Sequence, residues 1–171
     1  MLLTPTADTG FTDLGRRMAQ PVPPDALRSA QALAAEAARR FQTLLPRIVR
    51  RVLGEGEGAR QALQTGGFVL DETVIVMRLN PDTSSLELFC DIGQPQPQSI
   101  EANFRTALQL NLCRTYPGVT FGLHPESGRL VATSAMHMML LTDDEVCFNA
   151  LQMLAGLVRQ LKADRTFFVD D

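Results

Sequence analysis

The stretch FGLHPESGRLVATSAMHMML, residues 121–140, decides the fold. Two short apolar runs flank the turn signal HPESG, a pattern that predicts two antiparallel strands, one over 119–123 and one from Leu130 to about Met139. The second run is apolar at nearly every position. Its odd positions, Val131, Ala135, Met139 and Leu141, repeat the apolar pattern of its even ones, so both faces of this strand call for a cover.

Upstream, FVLDETVIVMRL reads as a short run, an acidic turn, and a strand with Ile75, Met77 and Leu79 on one face and Val74, Val76 and Arg78 on the other. Asn80-Pro81-Asp82 is a turn. LELFCDI follows with Leu86, Leu88, Cys90 and Ile92 on one face and Glu87, Phe89 and Asp91 on the other. The second face of these strands again carries apolar residues, Val74, Val76 and Phe89.

Helical spacing surrounds the strands. Leu27, Ala30, Ala34, Ala37, Phe41, Leu44, Ile48 and Val52 recur at three- and four-residue steps after Asp25, a candidate N-cap. Pro46 lies inside this helix and is expected to kink it or divide it near Leu45. GEGEG, residues 54–58, ends it, and a short helical turn is expected over 59–64. Ser99 caps a second helix, in which Ile100, Phe104, Leu108 and Leu112 are spaced by four while Ala107 and Leu110 widen the apolar surface. Such a face needs more than one partner. The last helix starts at Thr142, with Asp143, Asp144 and Glu145 complementing its dipole, and buries Met153, Leu154, Leu157, Val158 and Leu161. The order helix, three strands, helix, two strands, helix implies an α+β fold with an antiparallel twisted sheet.

The 171 residues suffice for one core-bearing domain. Four of the ten prolines fall in the first 24 residues, which read as a flexible arm. The organisation expected is an arm over 1–24, one domain over 25–165, and a short tail over 166–171. No apolar run approaches the roughly 18 residues of a membrane span, and the start MLLTPTADTG has no leader pattern, so a cytoplasmic protein without membrane insertion is expected. Residues 1–66 carry 9 basic and 6 acidic groups and the remainder 7 and 13, a net +3 against −6. That acidic second part disfavours nucleic acid, which asks for a basic stripe.

Catalytic patterns are absent. His124 and His137 with Cys90, Cys113 and Cys147 invite a cysteine–histidine nucleophile, but no nucleophile elbow or oxyanion-type glycine motif accompanies them. His124 fits a cap on the turn, His137 a sheet surface, and the cysteines fit apolar packing positions without zinc-ligand spacing. Arg47, Arg50 and Arg51 read as a solvated helix face. No enzyme activity, metal or cofactor is expected.

LELFCDIG, ALQLNLCR, VTFGLHPESGRLVATSAM and LTDDEVCFNALQMLAGLVRQL, in this order, resemble the class I chaperones of bacterial type III secretion, the family named for the Tir chaperone CesT. The resemblance covers about residues 68–162; the first helix agrees only in position. It implies a small acidic homodimer that binds the N-terminal region of secreted effector proteins in an extended form and keeps it fit for delivery to the secretion ATPase. It places the dimer on the second helix, here Phe104, Leu108, Leu110 and Leu112, and the effector on apolar patches and strand edges, here Val74, Val76, Phe89, Val131, Ala135 and Met139. The Pro-rich arm, the long 54–67 stretch and Pro46 depart from compact members and are similar to the longer, broad-specificity chaperones of plant-associated systems. Two other function classes stand beside this one: a regulatory adaptor that sequesters a secretion or transcription regulator, and a cysteine-dependent enzyme.

Overall fold

A computed structural model describes residues 24–170, so the arm expected over 1–24 lies outside the described residues except for Pro24. The elements are α1 (Pro24–Leu53), α2 (Glu57–Thr65), β1 (Gly67–Leu70), β2 (Thr73–Asn80), β3 (Ser85–Pro95), α3 (Ile100–Leu112), β4 (Val119–Leu123), β5 (Leu130–His137), α4 (Asp144–Ala163) and β6 (Val169–Asp170). Short 3-10 turns precede α3 and follow β5. Contacts divide the chain into Met1–Leu33 and Ala34–Asp171. In the first unit the described residues are helical, with Ser29 donating its hydroxyl to the Asp25 carbonyl. Asp25 lies within the first turn and is not the cap expected, since the helix already begins at Pro24, whose fixed φ suits a first turn.

In the second unit the sheet runs β1-β2-β3-β5-β4, all antiparallel, with β6 paired to the far end of β3. The α+β fold expected from the sequence is the one observed. The β1–β2 hairpin closes through Asp71 and Glu72, at φ 48° and 65°, the two left-handed positions of the tight turn that matches strand twist. Gly66, at φ 73°, ends α2 and delivers its carbonyl to Met77 N–H; a Cβ there would overlap the Met77 carbonyl. At the β3 irregularity, Gly93 leaves room for Val169, which a Cβ would strike.

One face of the sheet carries the core. Ile75, Met77, Leu86, Leu88, Cys90, Ile92, Leu130 and Ala132 are buried there with Leu44, Leu45, Ile48 and Val49 of α1 and Cys147, Leu151, Leu154, Val158 and Leu161 of α4. Met153, expected on the buried side of α4, is 55% exposed, because the helix turns the Leu151, Leu154 and Val158 row inward. The N-cap of α4 is Asp143, accepting from Val146 N–H at 3.0 Å, one residue after the Thr142 expected. The carboxylate outranks the hydroxyl only in position, since both are good caps.

Pro46 does not divide α1, which runs on through it. Pro46 and Gln42 are exposed, so the Gln42 carbonyl that loses its donor can turn to water, while Leu45 and Ile48 on either side of the proline are held in the core. The arginines of this helix are also not simply solvated. Arg47 pairs with Asp144 at 2.6 Å, and Arg51 takes both Glu145 oxygens at 2.6 and 3.2 Å while stacking 3.8 Å over the Phe148 ring. The acidic start of α4 thus ties it to α1. Residues 166–170, expected as a tail, are structural: Phe167 is buried, and Val169 pairs with Pro95.

Replacing Pro46 by Ala restores a helix hydrogen bond at an exposed site and should stabilise the protein by about 1–3 kcal/mol, read as a higher urea midpoint with unchanged slope.

Candidate functional site

Register places a second, separate set of side chains on the opposite face of the sheet. Gly67 opposes Val76, Val76 opposes Phe89, and Phe89 opposes Thr133; in the next row Val69 opposes Val74 and Asp91 opposes Val131. Directly paired residues share a face, so these two rows lie side by side. Val69 and Val74 are 53% and 48% exposed, and Val76, Phe89 and Val131 are half-buried. None of them joins the core cluster. Among the described residues, α1 and α4 bury their apolar faces on the other side.

Val74, Val76, Phe89 and Val131 line one hollow of about 230 Å³, rimmed by Asp91, His124, Ser127 and Arg129. Two ion pairs bracket it. Arg129 holds Asp91 bidentately at 2.9 and 2.6 Å. Arg78 donates to Glu87 at 2.7 Å and lies 5.0 Å over the Phe89 ring. The Asn80 amide, at 2.7 Å, and Arg78 hold the Glu87 carboxyl below the usual carboxylate range. Of the two other expected contact residues, Ala135 is exposed on the same face one row beyond, opposite Glu87, and lines a different hollow with Thr133 and Asn111. Met139 is off the strand altogether, because β5 ends at His137 and a 3-10 turn buries Met138 while leaving Met139 39% exposed. Leu141 is likewise buried and not on the second face.

The α3 helix is apolar on the wrong side for a core helix. Ile100, Phe104, Leu108 and Leu112, expected to seek a partner, are 40%, 37%, 68% and 84% exposed. The inward side carries Asn103 and Ala107, and Leu110 packs on the core, apart from the other three residues expected at the dimer. Asn103 grips the Phe168 backbone through N–H and C=O at 3.0 and 2.8 Å. Asn111 does the same to Phe121 at 2.9 and 2.8 Å, occupying the outer edge of β4. Sequence reading missed both asparagines, since an isolated Asn in a helix looks solvent-facing; their eight-residue spacing was the available signal.

The thiols show no paired nucleophile. Cys90 and Cys147 are buried, and burial, with the charges of Asp91 and Asp144 added, pushes both thiols up to about 12. Cys113 is exposed at the end of α3 and not packed as expected, because α3 stops before it. His124 Nδ1 accepts from Ser127 N–H and His137 Nδ1 from Met139 N–H, so each histidine closes a turn, although His137 stands at a strand end.

The sequence matches the Tir chaperone protein (CesT) family over residues 61–162, more than half of the chain. The chain belongs to that family. The resemblance drawn from the strand and helix motifs is thereby borne out, and the matched segment begins after α1, the helix that agreed only in position. No curated protein matches the sequence. Among solved structures, a chain from "Structure of the HopA1-SchA Chaperone-Effector Complex" is similar in fold, with a TM-score of 0.52 and 16% identity over 71% of this chain and 91% of that one. Within this Tir chaperone family member, the outer-face residues and the exposed α3 row both lie inside the matched segment. No described helix is long and apolar enough to cross a membrane.

A thiol reagent applied at pH 8 to the native protein should modify Cys113 and spare Cys90 and Cys147, with all three reacting after unfolding. Mass spectrometry of the labelled peptides reads this directly, and fast native labelling of Cys147 would contradict its burial.

Proposed function

We propose that this Tir chaperone family member is a non-enzymatic type III secretion chaperone that acts in the bacterial cytoplasm. It binds the N-terminal region of effector proteins in an extended form and keeps it soluble for delivery to the secretion ATPase. The observation that carries the reading is the apolar face formed by Val69, Val74, Val76, Phe89 and Val131, left without a covering helix among the described residues, on a sheet whose other face holds their core. Contiguous exposed apolar surface is costly to leave wet and marks a partner site.

Strand edges support the same reading. The two-residue turn makes Leu70 and Thr73 a hydrogen-bonded pair, which turns the Val69 N–H and C=O outward from β1. The β4 edge is closed at Phe121 by Asn111 and at Val119 by the Tyr116 carbonyl. An extended client therefore finds its backbone partner on the β1 side, next to the apolar face. A second copy of the chain covers the α3 row, Phe104, Leu108 and Leu112 with Ile100, since a two-fold axis uses one such patch twice.

Affinity capture from the native bacterium, with mass spectrometry of what copurifies, tests the function. Secreted proteins retained through their N-terminal regions support it, and their number reports specificity. A regulator as the sole partner would replace it with an adaptor role. Phe89→Asp should abolish client capture while leaving the thermal midpoint within a few degrees, because the residue packs outside the core. Light scattering checks the dimer: Leu108→Asp should yield monomer or aggregate, as a buried unpaired charge is strongly unfavourable at an interface, and a wild-type mass of one chain would defeat the assignment.

A further inference from the structure

Neither the core nor the outer sheet face uses the outward side of α4. Cys147, Leu151, Leu154, Val158 and Leu161 are its buried side, and directly behind them Asn149, Met153, Gly156 and Gln160 follow steps of four, three and four along the helix. Met153 is 55% exposed, and Val146 beside this row 41%. From Val146 to Val158 no residue is charged, where a surface helix ordinarily places charged side chains. The charges at the two ends are already paired, Glu145 with Arg51 and Arg159 with Asp71. Nothing among the described residues requires Gly156. Glycine is, after proline, the least favourable residue in a helix interior, and a Cβ built on Gly156 would meet nothing within 4 Å. A glycine facing open space on an uncharged side leaves room for a second backbone to approach.

The row is also symmetric along the helix. Around the midpoint between Leu154 and Ala155, Asn149 and Gln160 are equidistant, and so are Met153 and Gly156. From this we infer that the outward side of α4 is a self-association surface, and that its occupant is the α4 of a second copy of this chain, packed antiparallel across a two-fold axis. Each Met153 then enters the gap over Gly156 of the partner subunit, and each Asn149 meets Gln160 of the partner subunit. An amide both donates and accepts, so the Asn–Gln pairs satisfy one another. Leu157 lies beside the partner's Ala150. A two-fold contact demands such self-complementarity, in which the same patch serves both subunits. The surface is distinct from the α3 row, and the inference is independent of the client-binding reading. One helix pair buries less than the roughly 1,200 Å² of a standard stable interface, so the association is weak and grows with concentration.

Sedimentation equilibrium of the full chain from about 10 µM to about 1 mM tests it. The mass should climb toward twice its low-concentration value, whichever state α3 sets there. Gly156→Glu puts a side chain into open space and like charges across the axis, and should hold the low-concentration mass throughout. Met153→Lys should do the same from the other side of the contact, so either variant that keeps the wild-type circular dichroism spectrum decides. The register is read in a Cys113→Ser background with a two-carbon bismaleimide. A mixture of Asn149→Cys and Gln160→Cys chains should cross-link while neither variant alone does, because like positions lie about 16 Å apart along the axis. A mass that does not change with concentration, or a rise that persists in the folded variants, would overturn the inference. Cross-linking of each variant to itself as readily as to the other would overturn it too.

Discussion

The pleat governs this molecule. Successive side chains of a strand point to opposite faces, so a six-strand antiparallel sheet has two surfaces to settle, and here helices settle one. Ile75, Met77, Leu86, Leu88, Cys90 and Ile92 go under α1 and α4, and everything at the alternate positions stays on the far side. In two adjacent rows most of those alternate positions are apolar, Val76 and Phe89 in one and Val69, Val74 and Val131 in the next, with Asp91 and Thr133 among them. Being exposed or half-exposed after folding, they contribute little to stability. Their apolar character is therefore not explained by the core.

A second consequence follows at the sheet margin. The β4 strand has an edge to satisfy, and α3 satisfies it with side-chain amides in place of a neighbouring backbone. Asn103 does the same for the segment at Phe168. The helix face turned to the sheet is thereby given over to asparagine and alanine, and the leucine-rich row is turned out. An edge so occupied is also protected from unintended pairing, a hazard of bare strand edges. Closure of one edge and exposure of Val69 on the other make the two edges of the sheet unlike.

The two helices on the covered face are held by burial, with surface electrostatics added. Arg51 is bound on two sides, by Glu145 and by the Phe148 ring, and Arg47 by Asp144. Exposed pairs of this kind contribute little apiece, about 0–1 kcal/mol, so their role is to set the approach of α4 to α1 more than to stabilise the fold. They also account for Asp144 and Glu145 in the acidic run at the start of α4, and the N-cap accounts for Asp143.

Local pattern determined much. Period-two alternation in 74–79 and 86–92, the turn at HPESG and the four-residue spacing in α1, α3 and α4 are short-range properties, and the α+β order and the family follow from them. Val74, Val76, Phe89 and Val131 were legible as a surplus apolar face for the same reason. What depended on tertiary structure was anything decided by a distant neighbour. Leu110 parted from Leu108 and Met153 from Leu154 because helix rotation is set by the partner surface. Met139 left the strand because a buried Met138 ends it, and Pro46 was carried through because its flanks are anchored in the core. The asparagine grips, the arginine brackets and the C-terminal pairing of Val169 join residues up to 94 positions apart, and no sequence window spans contacts of that range.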